Sequence, residues 1–427
     1  MTSLLPADHR APAAPTALRE VLDHDGIRSV YQPLVELATG RLVGYEALAR
    51  GPVGPLERPD HLFAAAREHG LLAELDAACR RSALRGAVGQ GLVAPLTLFV
   101  NVEPEVLESA PLDDLVALAA QAPGRLRVVL EITERALTAR PAELLQTVQR
   151  VRELGWGVAL DDVGAESASL AFLEVVRPDV VKLDLRLVQQ RPDRAVAEIM
   201  NAVNAYAERS GALLLAEGIE TEQHRRAAEA LGATLGQGWL FGRGTDHPAG
   251  PDAVDVAPLA LATSADPVPP GPRVTPFDCL PAGTPLRRST KRLLVQLSIQ
   301  LEREARRLGD TCVVGATFQH ARHFTPDTAR RYAGLAAGTA FTCVLGEGLG
   351  DEPAPGLRGA PLAADDPVAD EWDVTVLSPH FSAALLARDL RSGGPDGERE
   401  FNYALTYRRE TVVAATRALL GRVAPRR

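Results

Sequence analysis

Six short apolar runs in the first half of the chain each end in a polar residue able to hold a cation or move a proton. Leu42-Val43-Gly44-Tyr45 runs into Glu46, and Thr97-Leu98-Phe99-Val100 into Asn101. Val128-Val129-Leu130 runs into Glu131, and Val158-Ala159-Leu160 into Asp161 and Asp162. Val180-Val181 runs into Lys182 and then Asp184, and Leu213-Leu214-Leu215-Ala216 into Glu217. The ligand candidates Glu46, Asn101, Glu131, Asp161, Asp162 and Glu217 are oxygen donors, with no histidine or cysteine among them, which suits Mg²⁺ or Mn²⁺ over zinc. Adjacent aspartates can serve two ions, one bridging and one terminal. Paired ions roughly 3.5–4 Å apart recur in phosphodiester chemistry, where they acidify a water and neutralise phosphate charge. Lys182 can orient that water or offset phosphoryl charge, and Glu217 can take up a proton or bind the second ion. A lone carboxylate at a strand end is usually a helix cap or a surface group. Six polar strand ends in one unit are harder to dismiss, and so many carboxylates close together would repel one another without cations. A sugar hydrolase needs only two carboxylates, and gains nothing from Asn101, the Asp161-Asp162 pair and Lys182 together.

These groups need a frame that gathers strand ends. The runs recur at intervals of roughly twenty to thirty-five residues, room for one helix and a return, and parallel barrel strands collect their chemistry at the carboxyl ends. Amphipathic stretches at Leu62–Glu74, Ala142–Leu154, Arg194–Arg209 and Glu222–Leu231 lie between runs. Strand-helix alternation predicts a parallel sheet, and its length favours closure into a β/α barrel.

The chain has 427 residues, 46% of them hydrophobic, and a net charge of −9. Two domains are expected from that length. The negative balance argues against DNA or RNA polymers as partners, because such binding depends on lysine and arginine. Four cysteines without a CxxC pair support neither a zinc site nor a disulfide framework. No basic segment followed by an apolar one opens the chain, and no run of about eighteen apolar residues is present. The expectation is a cytoplasmic protein with no membrane span. Residues 1–20 read as a flexible leader, 21–247 as the barrel, 248–276 as a Pro/Ala-rich linker and 277–427 as a second, smaller α/β domain. In that domain helices are expected over Thr290–Leu308, from Thr325, over Phe381–Leu390 and over Glu410–Val423. Strands are expected over Thr311–Phe318, Ala340–Leu345, Trp372–Leu377 and Phe401–Tyr407.

The motifs resemble those of EAL domains, cyclic di-GMP phosphodiesterases. Tyr31-Gln32-Pro33-Leu34-Val35 leads to Gly44-Tyr45-Glu46-Ala47-Leu48-Ala49-Arg50, which holds the name-giving triplet. Glu131-Ile132-Thr133-Glu134, Asp161-Asp162-Val163-Gly164, Pro178 to Asp184, Ala216-Glu217-Gly218-Ile219-Glu220 and Leu235 to Arg243 follow in family order. The resemblance implies a TIM-type (β/α)8 barrel with its first strand antiparallel to the others, and hydrolysis of cyclic di-GMP to linear pGpG with two Mg²⁺ or Mn²⁺ ions. It implies that Glu46, Asn101, Glu131 and Asp161 hold one ion. Asp161 would bridge, with Asp162 and Glu217 serving the second ion and Lys182 contacting the water. Gln32, Leu48, Arg50 and Gln237 would contact the dinucleotide. Glu134 would fix the loop after the aspartates, and Glu220 would support Glu217. A homodimer is the family expectation.

The loop after the aspartates departs from the family pattern at Val163, Ala165 and Glu166. That departure keeps open a silent effector, one that binds cyclic di-GMP without cleaving it and signals to a partner. An interaction scaffold built on the second domain is a third reading.

Residues 277–424 resemble the DICT domain, a sensory module, through Val274-Thr275-Pro276-Phe277, Ser289 to Leu294, Ala316 to His320 and Glu371-Trp372-Asp373-Val374. Its signal is unknown. His320 and His323 lack a third ligand and read as a polar loop, and Trp372 reads as core packing.

Overall fold

The computed structural model describes residues 14–103, 105–106, 112–133, 135–166, 168–261, 273–393 and 395–424. Eight strands close into a barrel: β1 (Arg28–Glu36), β2 (Leu42–Arg50), β3 (Thr97–Asn101), β4 (Arg127–Thr133), β5 (Gly157–Val163), β6 (Val180–Leu183), β7 (Leu213–Ala216) and β8 (Leu235–Gln237). β1 is antiparallel to both neighbours, β2 and β8, and the remaining pairs are parallel. Around them lie α1 (Ala14–Asp23), α2 (Pro59–Glu68), α3 (Leu72–Gly89), α4 (Asp113–Ala119), α5 (Arg135–Ala139), α6 (Pro141–Glu153), α7 (Ser169–Val176), α8 (Leu185–Gln189), α9 (Arg194–Ser210) and α10 (Glu222–Ala230). Asp193 and Thr221 cap α9 and α10, each accepting from the backbone N–H three residues on, a contact worth about 1 kcal/mol.

One residue from each strand fills a layer inside the barrel: Leu34, Val43, Phe99, Val129, Ala159, Val180, Leu215 and Leu235. Side chains alternate along a strand, so the second residue beyond each points the same way. On six strands that residue is Asn101, Glu131, Asp161, Lys182, Glu217 or Gln237. An apolar layer thus underlies a polar one by the period of the strand alone.

Two expectations at the barrel's margins change. The leader expected over 1–20 does not hold for residues 14–20: α1 begins at Ala14, and Leu18 is fully buried against Leu62 and Leu75. Residues 1–13 lie outside the described set. The segment read as a linker does not leave the barrel at 248. Ala257 and Leu259 are buried in the floor layer, and Ala257 N donates to Leu42 O at 2.8 Å. Its prolines suggest a spacer, yet its sparse apolar residues cover the open bottom of the barrel. Residues 262–272 lie outside the described set. Among the described residues no helix is long and apolar enough to cross a membrane.

The second domain is a seven-stranded mixed sheet of β9 (Arg287–Thr290), β10 (Val313–His320), β11 (Phe341–Glu347), β12 (Arg358–Pro361), β13 (Glu371–Leu377), β14 (Ser382–Asp389) and β15 (Glu400–Thr406). The spatial order is β12-β11-β10-β13-β14-β15-β9. Its helices are α11 (Lys291–Leu308), α12 (Pro326–Ala336) and α13 (Arg409–Leu420). Thr325 caps α12 through Thr328 N, as its sequence predicts. The helix expected over Phe381–Leu390 is instead β14. Ser-Ala-Ala-Leu-Leu-Ala favours a helix locally, but the segment pairs with β13 and β15, and its first six residues are buried. Burial on both faces removes the alternation that marks a strand. Odd and even residues of the sheet feed two cores: Val314, Ala316 and Val344 join α11 and α12, whereas Val313, Phe341, Cys343 and Leu345 join α13 and the barrel helices.

Candidate active site

The polar layer at the barrel mouth converges on Lys182. Its Nζ lies 2.7 Å from Glu217, 2.9 Å from Glu131, 3.1 Å from Asp161 and 3.7 Å from Glu46. The lysine is 1% exposed, so its charge is held by these four carboxylates and by little water. Burial acts to neutralise it, but the charges of Asp161, Glu131, Glu217 and Glu46 hold its pKa well above the ordinary value. Burial foremost, with the Glu46 charge, pushes Glu131 well above the carboxylate range against the pull of Lys182. Burial also pushes Glu217 up, to about 8, opposed by Lys182 and aided by Asp161 and Glu46. Glu46 goes the other way: burial is outweighed by Lys182 and by hydrogen bonds from Gln237 and Asn101, which lower it.

Those bonds set the Glu46 carboxylate firmly. Asn101 Nδ2 donates to Oε1 at 2.8 Å and Gln237 Nε2 to Oε2 at 2.6 Å. Gln237 Nε2 also approaches Gln32 Oε1 at 3.3 Å. Leu48 lines the cleft one turn of the pleat beyond Glu46. Arg50 is half-buried at the end of β2, its Nη1 on its own neighbour's carbonyl, Ala49 O, at 2.8 Å.

Asp161 and Asp162 meet a geometric problem: neighbours on a strand point to opposite faces. The register of β5 against β6 slips between Leu160 and Val163, and Asp162 has φ +56°. This irregularity re-aims the second carboxylate, as a bulge does. Oxygens of Asp161, Asp162 and Glu217 then lie within 4.8 Å of one another. Asp162 N also donates to Asp161 Oδ1 at 2.9 Å. Burial and the Asp161 charge raise the Asp162 pKa.

The residues present fit divalent cations. The donors are all oxygen, and three carboxylates crowd to one point. Both Glu131 oxygens are buried without a hydrogen bond of normal geometry among the described residues; the Lys182 ammonium lies 2.9 Å from Oε1. A buried carboxylate left so is costly unless a cation satisfies it.

Two expected residues stand apart. Glu220 is exposed, its backbone N–H donates to His224 Nδ1, and its carboxylate makes no hydrogen bond among the described residues. Its expected support of Glu217 has no contact behind it. Glu134 lies outside the described residues.

The mouth opens into a cleft of about 940 Å³ lined by Leu48, Asn101, Asp162, Asp184 and several arginines. Arg135 and Arg186 in this lining were not singled out in the sequence. Arg135 follows the Glu131–Glu134 motif directly, and Arg186 lies two residues beyond Asp184, which accepts from its Nε at 2.8 Å. Position relative to a strand end is the signal that would have found both. Deeper in the cleft, Asp76 and Arg80 form a buried ion pair at 2.8 Å, four residues apart on α3. In the second domain His320 pairs with Glu347 at 2.6 Å, and His323 Nδ1 lies 3.1 Å from Phe318 O. Trp372 donates to Ser298 Oγ at 3.0 Å and packs edge-on against Phe401.

Residues 16–244 match the EAL-domain family, and this is just over half of the chain. The chain belongs to the EAL-domain family. Residues 279–390 match the DICT domain, described as a sensory domain in diguanylate cyclases and two-component systems. Similar proteins include the cyclic di-GMP phosphodiesterase RocR of Pseudomonas aeruginosa, 33% identical over 231 residues, or 52% of this chain and 58% of that protein. The probable cyclic di-GMP phosphodiesterase PdeB of Escherichia coli is 30% identical over 234 residues, or 53% of this chain and 44% of that protein. A solved PaMucR phosphodiesterase in complex with c-di-GMP is 26% identical, with a TM-score of 0.48, over 54% of this chain and 97% of that chain. The chain spans between 30% and 58% of the length of the first curated relatives it matches. The two EAL expectations, a closed barrel and an antiparallel first strand, both hold in this EAL member.

Proposed function

We propose that the chain hydrolyses cyclic di-GMP to linear pGpG at the barrel mouth, using two divalent cations, Mg²⁺ or Mn²⁺. The observation that carries this reading is the convergence of Glu46, Glu131, Asp161 and Glu217 on Lys182, with Asp162 brought alongside by the irregularity in β5. Glu46, Asn101, Glu131 and Asp161 would hold one ion, and Asp161, Asp162 and Glu217 the other. The ions would neutralise phosphate charge and acidify a water there.

The chain's own groups do the rest. Gln237 and Asn101 fix both oxygens of Glu46 and so define where a ligand oxygen stands. Lys182 orients the attacking water and holds positive charge beside the phosphoryl oxygens. Glu217, half-buried beside Asp161 and Asp162, accepts the proton. Gln32, Leu48, Arg50 and Gln237 hold the dinucleotide, and Arg135 and Arg186 add positive charge along the cleft. EAL membership and relatives named as cyclic di-GMP phosphodiesterases support the substrate. The division into a barrel, a connecting segment and a DICT-type sensory domain, action in the cytoplasm and a homodimer belong to the same proposal. Incubating the purified full chain with cyclic di-GMP and Mn²⁺, with and without a chelator, tests it: pGpG should form and the chelator should stop it. Sedimentation tests the dimer.

A further inference from the structure

The second domain grips the barrel at the ends of two helices, and both helices follow strands that carry candidate metal ligands. α7 follows β5, the strand of Asp161 and Asp162. α5 follows β4, the strand of Glu131. The last carbonyls of a helix have no partner within it and carry the negative end of its dipole. Arg417 of α13 meets that end of α7: its Nε donates to Val175 O at 2.7 Å and its Nη2 to Val176 O at 3.3 Å. Arg358 of β12 approaches the end of α5, with Nη1 3.5 Å from Thr138 O and Nη2 3.5 Å from Ala139 O. Both arginines are buried, so these carbonyls, joined for Arg358 by Ala424 O of its own domain, take the place of water around their charge.

α7 has no free side. All eight of its residues are buried. Glu174, its one charged residue, is held by Arg409 of the second domain at 3.2 Å and by Arg209 of α9. Arg209 also donates to Pro379 O of the second domain at 3.3 Å. At the other end of α7, Ser169 Oγ accepts from Gly164 N at 3.2 Å and donates to Glu166 O at 2.7 Å. Ala165 N in turn donates to Asp162 O at 3.0 Å. Contacts therefore run unbroken from Arg417 through α7 and Ser169 to the loop that fixes Asp162. A helix enclosed in this way follows whatever its covering domain does, because packed interfaces shift between discrete arrangements and do not deform continuously.

We propose that Arg417 and Arg358 are positioning residues, through which the second domain sets the places of Asp161, Asp162 and Glu131 and hence the barrel's affinity for divalent cations. This rests on the cation-dependent reading above. A change of state in the second domain reaches the barrel mouth through these two contacts together with the Arg409–Glu174 pair on α7.

The test uses the full chain. Mn²⁺ affinity is measured from the electron paramagnetic resonance signal of the free ion, alongside the thermal midpoint and the kcat and KM for cyclic di-GMP. Arg417→Met weakens Mn²⁺ binding by about tenfold, the scale of coupling through a packed network. Its kcat falls at limiting Mn²⁺ and recovers in excess, with KM unchanged. Arg417→Lys keeps the charge but not the paired donors and falls between. Arg331→Met, which breaks the Arg331–Glu302 pair between α12 and α11, leaves Mn²⁺ affinity as it was. Should Arg417→Met not fold, Arg358→Met carries the test, with a loss of about threefold. Unchanged Mn²⁺ affinity in the folded interface variants, or an equal loss in Arg331→Met, overturns the proposal. Wild-type chain that binds no Mn²⁺ overturns the cation reading itself, and this inference with it.

Discussion

Lys182 on β6 and Glu217, the residue just past the adjacent β7, meet at 2.7 Å. Glu131 and Asp161 close on the same ammonium from β4 and β5. One buried ammonium faces four crowded carboxylates, and that crowding of negative charge is what a divalent cation relieves.

Binding should therefore stabilise the fold. Mn²⁺ at a hundred times its dissociation constant adds about 2.7 kcal/mol, read as a rise in thermal midpoint. The rise disappears in Asp161→Asn. A midpoint indifferent to Mn²⁺ contradicts the assignment of these carboxylates.

Glu46→Ala removes a carboxylate that Asn101 and Gln237 both hold. Turnover should fall below detection, while far-ultraviolet circular dichroism stays that of the wild type. The loss of turnover amounts to at least about a hundredfold, the scale of removing an electrostatic group from a site. Full activity in this variant sinks the metal assignment.

The Asp76–Arg80 pair gives a stability prediction separate from the chemistry. Asp76 also accepts from Glu103 N at 2.9 Å. Arg80→Met leaves the carboxylate buried and unbalanced, at a cost of about 3–5 kcal/mol. The loss is measured by urea unfolding. Replacing both residues with leucine should cost less than Arg80→Met alone, and a larger cost for the double variant rules the explanation out.

Much of this site is visible in the chain before folding. The two-residue step from Val129 to Glu131, or from Val180 to Lys182, places an apolar layer under a polar one by strand period alone. Other features depend on distant partners. The re-aiming of Asp162 needs the register slip against β6. The floor formed by Ala257 and Leu259 needs a closed barrel to cover. β14 reads as a helix because its neighbours in the sheet, and not its own residues, decide its state. The burial of α7 is equally hidden, since part of its cover, Arg409 and Arg417 of the second domain, comes more than two hundred positions later.

Asp373 yields a pH prediction. It is fully buried in the sheet of the second domain, beside Glu371 and its partner Arg388. Burial, then the Glu371 charge, holds its carboxyl well above the ordinary range. The folded state binds this proton more tightly than the unfolded one. The resulting stability is complete below the unfolded carboxyl pKa and is lost as pH rises toward the folded value, by about 1.4 kcal/mol per unit. Asp373→Asn should flatten that decline in urea-unfolding series from pH 4 upward. A variant that keeps the wild-type slope refutes it.

The central claim is that water opens the phosphodiester ring at this barrel mouth. Its most direct test is to incubate the full chain with cyclic di-GMP and Mn²⁺ in ¹⁸O-labelled water and weigh the product by mass spectrometry. The account predicts linear pGpG carrying one ¹⁸O in its terminal phosphate, and none formed by Glu46→Ala. Cyclic di-GMP recovered intact and unlabelled from a protein that binds it would contradict the account and identify a silent effector.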